Sequence, residues 1–508
     1  MTATLCATRL SVRCAPVSEA RTLARSGLLQ QVAQASGILV LFAIVTVLAR
    51  RVSLAELGAY GLLAPLAGYL LVLRNMVAGS AVKAMVEAGG DAERARTFSA
   101  AAALYLAAGL GTALLIVAVG SALAVAVLEG ELETQALRGA LGLAAVTAVG
   151  ITVSVHLDAL RASGQLARSA VLEIVALALF LALMLALILG DSDLWLVIAA
   201  NGAIPLFSGI LCLLAIRRLG LPYRFRRSEL TRARVRSLVP TAGYLLAIES
   251  ATAVIYGVIR PIVGLYKSAA TVGLMEGPIR AHNLFYAYYG ALGVTTLPTA
   301  SAYAAGEDRR RLRELVLRGS RYTLALVVPV CVGLMCLSDL VLEAWLGDGF
   351  GEGGTAMAVM LSYWLLYGSL GAHQMLLVGC GRAREVARYM GAVALGVLVL
   401  SLALTPALGL EGPAVAVAAS YAAAFPFVQR LVLRESGVSL GELARTAWLP
   451  AYSLGALLFV ALCVLRNAVA LDSPGAVIAA LAGGVLAYWL LWWALVPDRA
   501  ERASLLSR

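Results

Sequence analysis

Charge is scarce in this sequence: 14% of its 508 residues are Asp, Glu, Lys or Arg, while 61% are hydrophobic. Soluble domains carry about 25% charged residues, so a water-facing shell of ordinary size cannot be built from this chain. Histidine is scarcer still, and the three present (His156, His282 and His373) are too scattered to frame a metal site or a catalytic dyad. The seven cysteines include no Cys-x-x-Cys pair, and Cys212, Cys331, Cys336, Cys380 and Cys463 lie inside apolar runs. They read as small buried hydrophobes rather than a disulfide framework or redox centre. Also missing are a glycine-rich phosphate loop followed by lysine and any nucleophile paired with a base. The residues therefore point away from an enzyme, and no cofactor or metal is expected.

What is present is apolar length, with a mean hydropathy of +0.88. A hydrocarbon core of about 30 Å asks for ~20 apolar residues per helix. Fourteen runs meet that need, at 28–49, 58–80, 98–127, 136–157, 169–190, 194–216, 238–262, 273–301, 320–340, 355–379, 388–408, 411–432, 447–465 and 474–496. The spacing predicts an all-α polytopic membrane protein; its least separated helices are the pair at 388–432, parted only by Gly409, Leu410, Glu411, Gly412 and Pro413. The segment before Leu28 holds four arginines and no apolar core for a signal peptide, which makes the first helix the insertion signal. With a cytoplasmic N-terminus, 32 of the 40 basic residues fall in inward tails and loops, the bias that orients membrane proteins. Both termini are then cytoplasmic. The net charge of +11 is read as this topology signal, not as a nucleic-acid surface.

The largest inward loop, Arg217 to Arg236, holds eight arginines and divides six helices from the next six. It reads as a topology anchor, with a clamp on anionic lipid headgroups as the second reading. An internal repeat supports the division. Ser53–Gly58 (SLAELG) matches Ser268–Gly273 (SAATVG) at an offset of 215 residues, AGGDAER from Ala88 matches AAGEDRR from Ala304 at 216, and GQLARSA from Gly164 matches GRAREVA from Gly381 at 217. Units with an even number of helices enter the membrane in one orientation, so a pseudo-two-fold along the membrane normal is expected, with the substrate path between the lobes. The expected organisation is a tail at 1–27, an N-lobe of helices 1–6 at 28–217, and a basic linker at 218–236. A C-lobe of helices 7–12 at 237–433 follows, then helices 13 and 14 at 434–496 on one flank, and a tail at 497–508.

The stretch from Thr241 to Ser301 combines membrane-compatible apolarity with Glu249, Arg260, Lys267, Glu276, Arg280 and His282. Ionisable groups at membrane depth survive where they face a bundle interior or a watery cavity. Glu249, Thr252, Tyr256 and Arg260 recur at helical spacing as one stripe. Glu276 and Arg280 form an i, i+4 pair that shares a face, and Pro278 between them is expected to kink the helix. Bland readings stand beside these: Glu249 as polar glue between helices, Arg280 as the partner of Glu276 alone, and the tyrosines as packing. For Arg50, Arg51, Arg260 and Lys267, anchoring at the outer interface is the simpler reading.

Three passages carry a family likeness. IVTVLARRVSLAELGAYGLLAPLAGYLLVLRNMVAGSAVKAMVEAGG resembles the first two helices of polysaccharide or O-antigen flippases, with an arginine-bearing helix end and an acid before Gly-x-Tyr. PIVGLYKSAATVGLM is similar to the matching region of their second half, and GCGRAREVARYMGAV to the turn before their eleventh helix. These flippases belong to the multidrug, oligosaccharidyl-lipid and polysaccharide exporter superfamily. The resemblance implies translocation of undecaprenyl-pyrophosphate-linked oligosaccharide to the outer leaflet by alternating access. On that cargo, Asn283, Phe285, Tyr286, Tyr288 and Tyr289 would meet sugar, and Arg260, Arg280 and Arg74 the pyrophosphate. A coupling cation (H+ or Na+) and a polymerase or glycosyltransferase partner stay open. A cation-coupled multidrug antiporter is disfavoured because Leu28 to Ala49 contains no acid, whereas a peptidoglycan lipid precursor flippase is not separated by these residues. The topology has a direct check: a reporter fused after Arg236 should be cytoplasmic and one at Gly351 extracytoplasmic, and the same side for both would overturn the helix count between them.

Overall fold

The computed structural model describes residues 17–238 and 243–497. Most of the two expected tails lies outside them. The described residues fold into helices and connecting turns. Twelve helical segments are long and apolar enough to cross a membrane, and the bent pair Leu194–Ala200 and Ala203–Arg218, at 48° to one another, makes a thirteenth. The remaining expected span is the 30-residue helix Glu276–Ala305, about 45 Å long at 1.5 Å per residue. Glu276, Arg280 and His282 in its first two turns, and the tyrosines, glycines and threonines beyond them, leave it short of the apolarity of the others. The closely spaced pair is indeed two helices, Ala383–Leu408 and Glu411–Ser436. Gly409 makes the turn between them at φ +61°, a conformation open to glycine at little steric cost.

Hydrophobic period cannot show where a span is interrupted, and several are. Leu71 parts Leu54–Leu70 from Val72–Glu87, Ser154 parts Gly130–Val153 from Val155–Ala162, and Val258 parts Gly243–Gly257 from Ile259–Tyr266. Each keeps a right-handed backbone with ψ between −12° and −17°, a tight turn of the 3₁₀ kind. The kink expected at Pro278 lies instead at Met275, between Ala269–Leu274 and Glu276–Ala305. Pro278 falls in the first turn of the longer helix, where no intrahelical donor is needed.

The two halves meet where their repeats match. Ser53 Oγ accepts from the Glu56 amide and Ser268 Oγ from the Thr271 amide, so serine caps start both Leu54–Leu70 and Ala269–Leu274. The two helices then cross at backbone contact. A Cβ on Gly58 would stand 1.8 Å from the Ala269 carbonyl oxygen, and one on Gly273 would stand 2.2 Å from that of Leu54. At the 215-residue offset Leu54 corresponds to Ala269 and Gly58 to Gly273, so the contact maps onto itself when the halves are exchanged. That reciprocity is the signature of a two-fold relation. The last two helices, Leu449–Ala468 and Pro474–Leu495, pack on Arg309–Cys336 as a flank.

Because the obstacle is backbone, Gly58→Ala should cost about 1–3 kcal/mol as overpacking and lower the melting temperature of the detergent-purified chain. Gly79 has open space around its missing Cβ, so Gly79→Ala should be neutral or slightly stabilising. Equal melting for Gly58→Ala and wild type would remove the glycine crossing as the seam of the halves.

Candidate substrate cavity

A cavity of about 660 Å³ lies between the halves. Its wall is mostly first-half residues, and Arg260, Arg280 and Asn283 are the contribution of the second half. The breaks set its polar groups in place. Arg74 and Asn75, in the first turn after Leu71, and Arg161, two turns after Ser154, face the space.

At one end a single carboxylate holds two guanidinium groups. Arg260 Nε donates to Glu276 Oε1, and Arg280 Nη2 lies 3.4 Å from Glu276 Oε2. Arg260 also donates from Nη1 to the Tyr69 hydroxyl at 2.9 Å, and that hydroxyl donates to the Tyr256 carbonyl at 3.1 Å, tying the first half to the second. Glu276 is 0% exposed and Arg280 7%. Arg280 Nε has no hydrogen-bond partner among the described residues, although it is buried. The three side chains carry a net charge of +1, and the guanidinium with spare donors is on the cavity wall. Room for the carboxylate comes from Gly61, whose Cβ would stand 2.6 Å from Glu276 Oε1.

At the other end charges cancel. Arg74 pairs with Asp158, which also accepts from the Tyr105 hydroxyl. Arg161 joins Asp158 at 3.3 Å to Glu173 at 2.6 Å, and Gln30 Nε2 reaches Glu173 Oε2 at 3.4 Å. The amides of Gln34, Asn75, Asn201 and Asn283 also line the cavity.

Of the residues singled out from sequence, Arg74, Arg260, Arg280 and Asn283 line this cavity, and Glu276 stands directly behind its arginines. The structure does not bring Glu249, Tyr256, Tyr286 or Tyr289 to the wall. Glu249 is on an exposed face of Gly243–Gly257. The stripe it was to share with Arg260 is cut by the break at Val258. Tyr256 is buried within the second half, its hydroxyl 3.1 Å from those of both Tyr363 and Tyr421. Tyr289 is bonded to His373 Nδ1 at 3.1 Å, and Tyr286 packs its edge on the Tyr256 ring. His282 Nδ1 accepts from the Trp364 indole at 2.9 Å, so Tyr256, His282 and Tyr289 are core packing, whereas Tyr286 is 42% exposed on the outside of that core. Arg50, read as an interface anchor, instead donates to the Ala344 and Trp345 carbonyls at the end of helix Ser338–Leu346, joining the halves. The sequence reading missed Asp158, Arg161, Glu173 and the glutamines. The rule that isolates Glu276, an ionisable group inside an apolar run, applies equally to Asp158 and Glu173.

The sequence profile of a family described as "Polysaccharide biosynthesis protein" matches residues 47–352. The chain belongs to this family. No curated protein sequence matches it. Among solved structures, the fold is similar to that of lipid II flippase MurJ in an inward closed conformation, with a TM-score of 0.70 at 14% identity over 92% of this chain and 100% of that one. It is also similar to an inward-facing multidrug resistance MATE family transporter of the MOP superfamily, with a TM-score of 0.67 at 14% identity over 81% and 99%. An outward-facing MATE family structure gives 0.56 at 15% identity over 82% and 97%. The chain is thus a multi-pass membrane protein of the polysaccharide biosynthesis family, with a fold shared by the lipid II flippase and MATE structures.

Asp158 is 2% exposed and balances two arginines. Breaking a buried ion pair from one side costs about 3–5 kcal/mol, so Asp158→Asn should unfold at clearly lower temperature than wild type. Glu173→Gln, at the partly exposed end of the chain of charges, should cost less, and the reverse order would refute the neutral network.

Proposed function

We propose that this carrier moves undecaprenyl-pyrophosphate-linked oligosaccharide from the cytoplasmic to the outer leaflet of a bacterial inner membrane, for surface polysaccharide synthesis. It works by rocking its two lobes about the glycine seam. The observation that carries this reading is Arg280: a guanidinium on the cavity wall, buried, with an unpartnered Nε and a weakly held Nη2. A pyrophosphate offers charge and several acceptors, which is what such a fork lacks. Arg260 stands beside it, already committed to Glu276 and Tyr69. Sugar hydroxyls find their partners in Gln34, Asn75, Asn201 and Asn283 rather than in the tyrosines. The better match to the inward-facing than to the outward-facing MATE family fold supports a carrier at rest with its outer end shut.

A cation-coupled drug antiporter would need acids facing its cargo. Here four arginines (Arg74, Arg161, Arg260 and Arg280) line the cavity and three acids (Asp158, Glu173 and Glu276) pair with them, and the remaining charge of +1, at Arg280, favours an anionic headgroup. A peptidoglycan lipid precursor has the same pyrophosphate linkage, and the glycan contacts are what separate the two cargoes. None of these steps makes or breaks a covalent bond, and the proposed role is transport, not catalysis.

Arg280→Gln should abolish glycan display while leaving protein abundance in the membrane nearly normal, and Arg280→Lys should keep part of the activity as a point charge. If Arg280 serves only to neutralise Glu276, adding Glu276→Gln to Arg280→Gln should restore export. Rescue by the double change would defeat anion contact, and an abundant but inactive double variant would uphold it.

A further inference from the structure

Two cysteines that the sequence presents as separate small hydrophobes are neighbours. Cys336 ends helix Arg309–Cys336, Cys463 lies near the end of Leu449–Ala468, and their sulfurs are 3.3 Å apart. Both are free thiols. Close helix approaches hold them there. A Cβ on Gly455 would stand 2.6 Å from Val328, and one on Gly333, a turn before Cys336, would stand 2.5 Å from Leu481 of the last helix. Arg466, a turn beyond Cys463, donates to the Cys336 carbonyl at 2.9 Å and forks onto Asp339 at 2.9 and 2.5 Å. The same two helix ends are thus clamped on both sides of the sulfur contact. Cys463 lines a surface groove with Phe459, Val460 and Asn467, while Cys336 is buried behind it. Cys331, by contrast, has its thiol on the Leu361 carbonyl oxygen at 3.6 Å.

We propose that Cys336 and Cys463 form a reversible disulfide site that fastens the last two helices to the second lobe. A disulfide needs its sulfurs at about 2.0 Å, a closure within reach of side-chain rotation from the observed separation. The oxidant is an external disulfide, R–S–S–R. The Cys463 thiolate attacks one of its sulfurs, forming a mixed disulfide and releasing RS⁻. The Cys336 thiolate then attacks the Cys463 sulfur and releases the second RS⁻. The two protons shed by the cysteines end on two R–SH, and the two electrons end on the oxidant. On the orientation expected from the basic residues, this end of both helices faces the outer side, where disulfides persist.

The full-length chain in isolated membranes would be treated with dithiodipyridine, an aromatic disulfide, then alkylated and mapped by peptide mass spectrometry. The expected product is one linked pair of peptides containing Cys336 and Cys463, lighter by two hydrogens and separated by dithiothreitol. Cys336→Ser should leave Cys463 stopped at the pyridyl mixed disulfide, and Cys463→Ser should leave Cys336 slow to react. The oxidised wild type should also melt at higher temperature than the reduced form, a shift absent from Cys463→Ser. Recovery of both cysteines as separately alkylated thiols, or as two separate pyridyl adducts, would overturn the site.

Discussion

A carboxylate with no access to water, set between two arginines at the seam of two lobes, is the arrangement on which the rest of this structure depends. Glu276 is fully buried, and taking such a charge out of water costs several kcal/mol unless a partner compensates it. Arg260 supplies that compensation and is itself tied through Tyr69 to the opposite lobe. Seam closure and charge neutralisation are therefore one event: separating the lobes strips Arg260 of a hydroxyl partner and lets water reach the carboxylate. The break at Met275 serves the same end, because it starts the long helix at Glu276 and aims the first turn across the seam.

The cavity inherits its polarity from this arrangement. One acid for two bases leaves an excess of positive charge at the Glu276 end, while Asp158 and Glu173 cancel Arg74 and Arg161 at the other. On the proposed function, an anionic headgroup entering along the neutral end would meet no strong trap before the charged one. In a cavity with low-dielectric walls, that difference is felt over a distance comparable to its length.

Much of the fold was legible because membrane insertion makes helices visible as apolar length, and because Gly409 and its neighbours broke the one ambiguous run. The duplication was legible from three short matches, the first of which proved to be the seam itself. Helix interruptions were not, since Leu71, Ser154 and Met275 turn the chain without any change of composition. That loss propagated to the site. A stripe drawn through Tyr256 and Arg260 assumes an unbroken helix, and Tyr256 and Tyr289, which look like sugar platforms, turn inward to the core around Trp364 and His373. The isolated charges survived as signals because their burial cost is independent of the exact path of the backbone.

The glycine at position 61 carries a final consequence. It occupies in the first lobe the place that Glu276 occupies in the second, at the offset that relates Gly58 to Gly273, and it lies against the carboxylate it lacks. Two side chains of that size cannot share one point on a rotation axis. A duplicated carrier that places an ion at its own axis is thereby obliged to be unequal there, with one copy giving substance and the other giving room. The inequality of the lobes around that carboxylate is then a matter of occupancy, present wherever a symmetric ancestor acquires a single central charge.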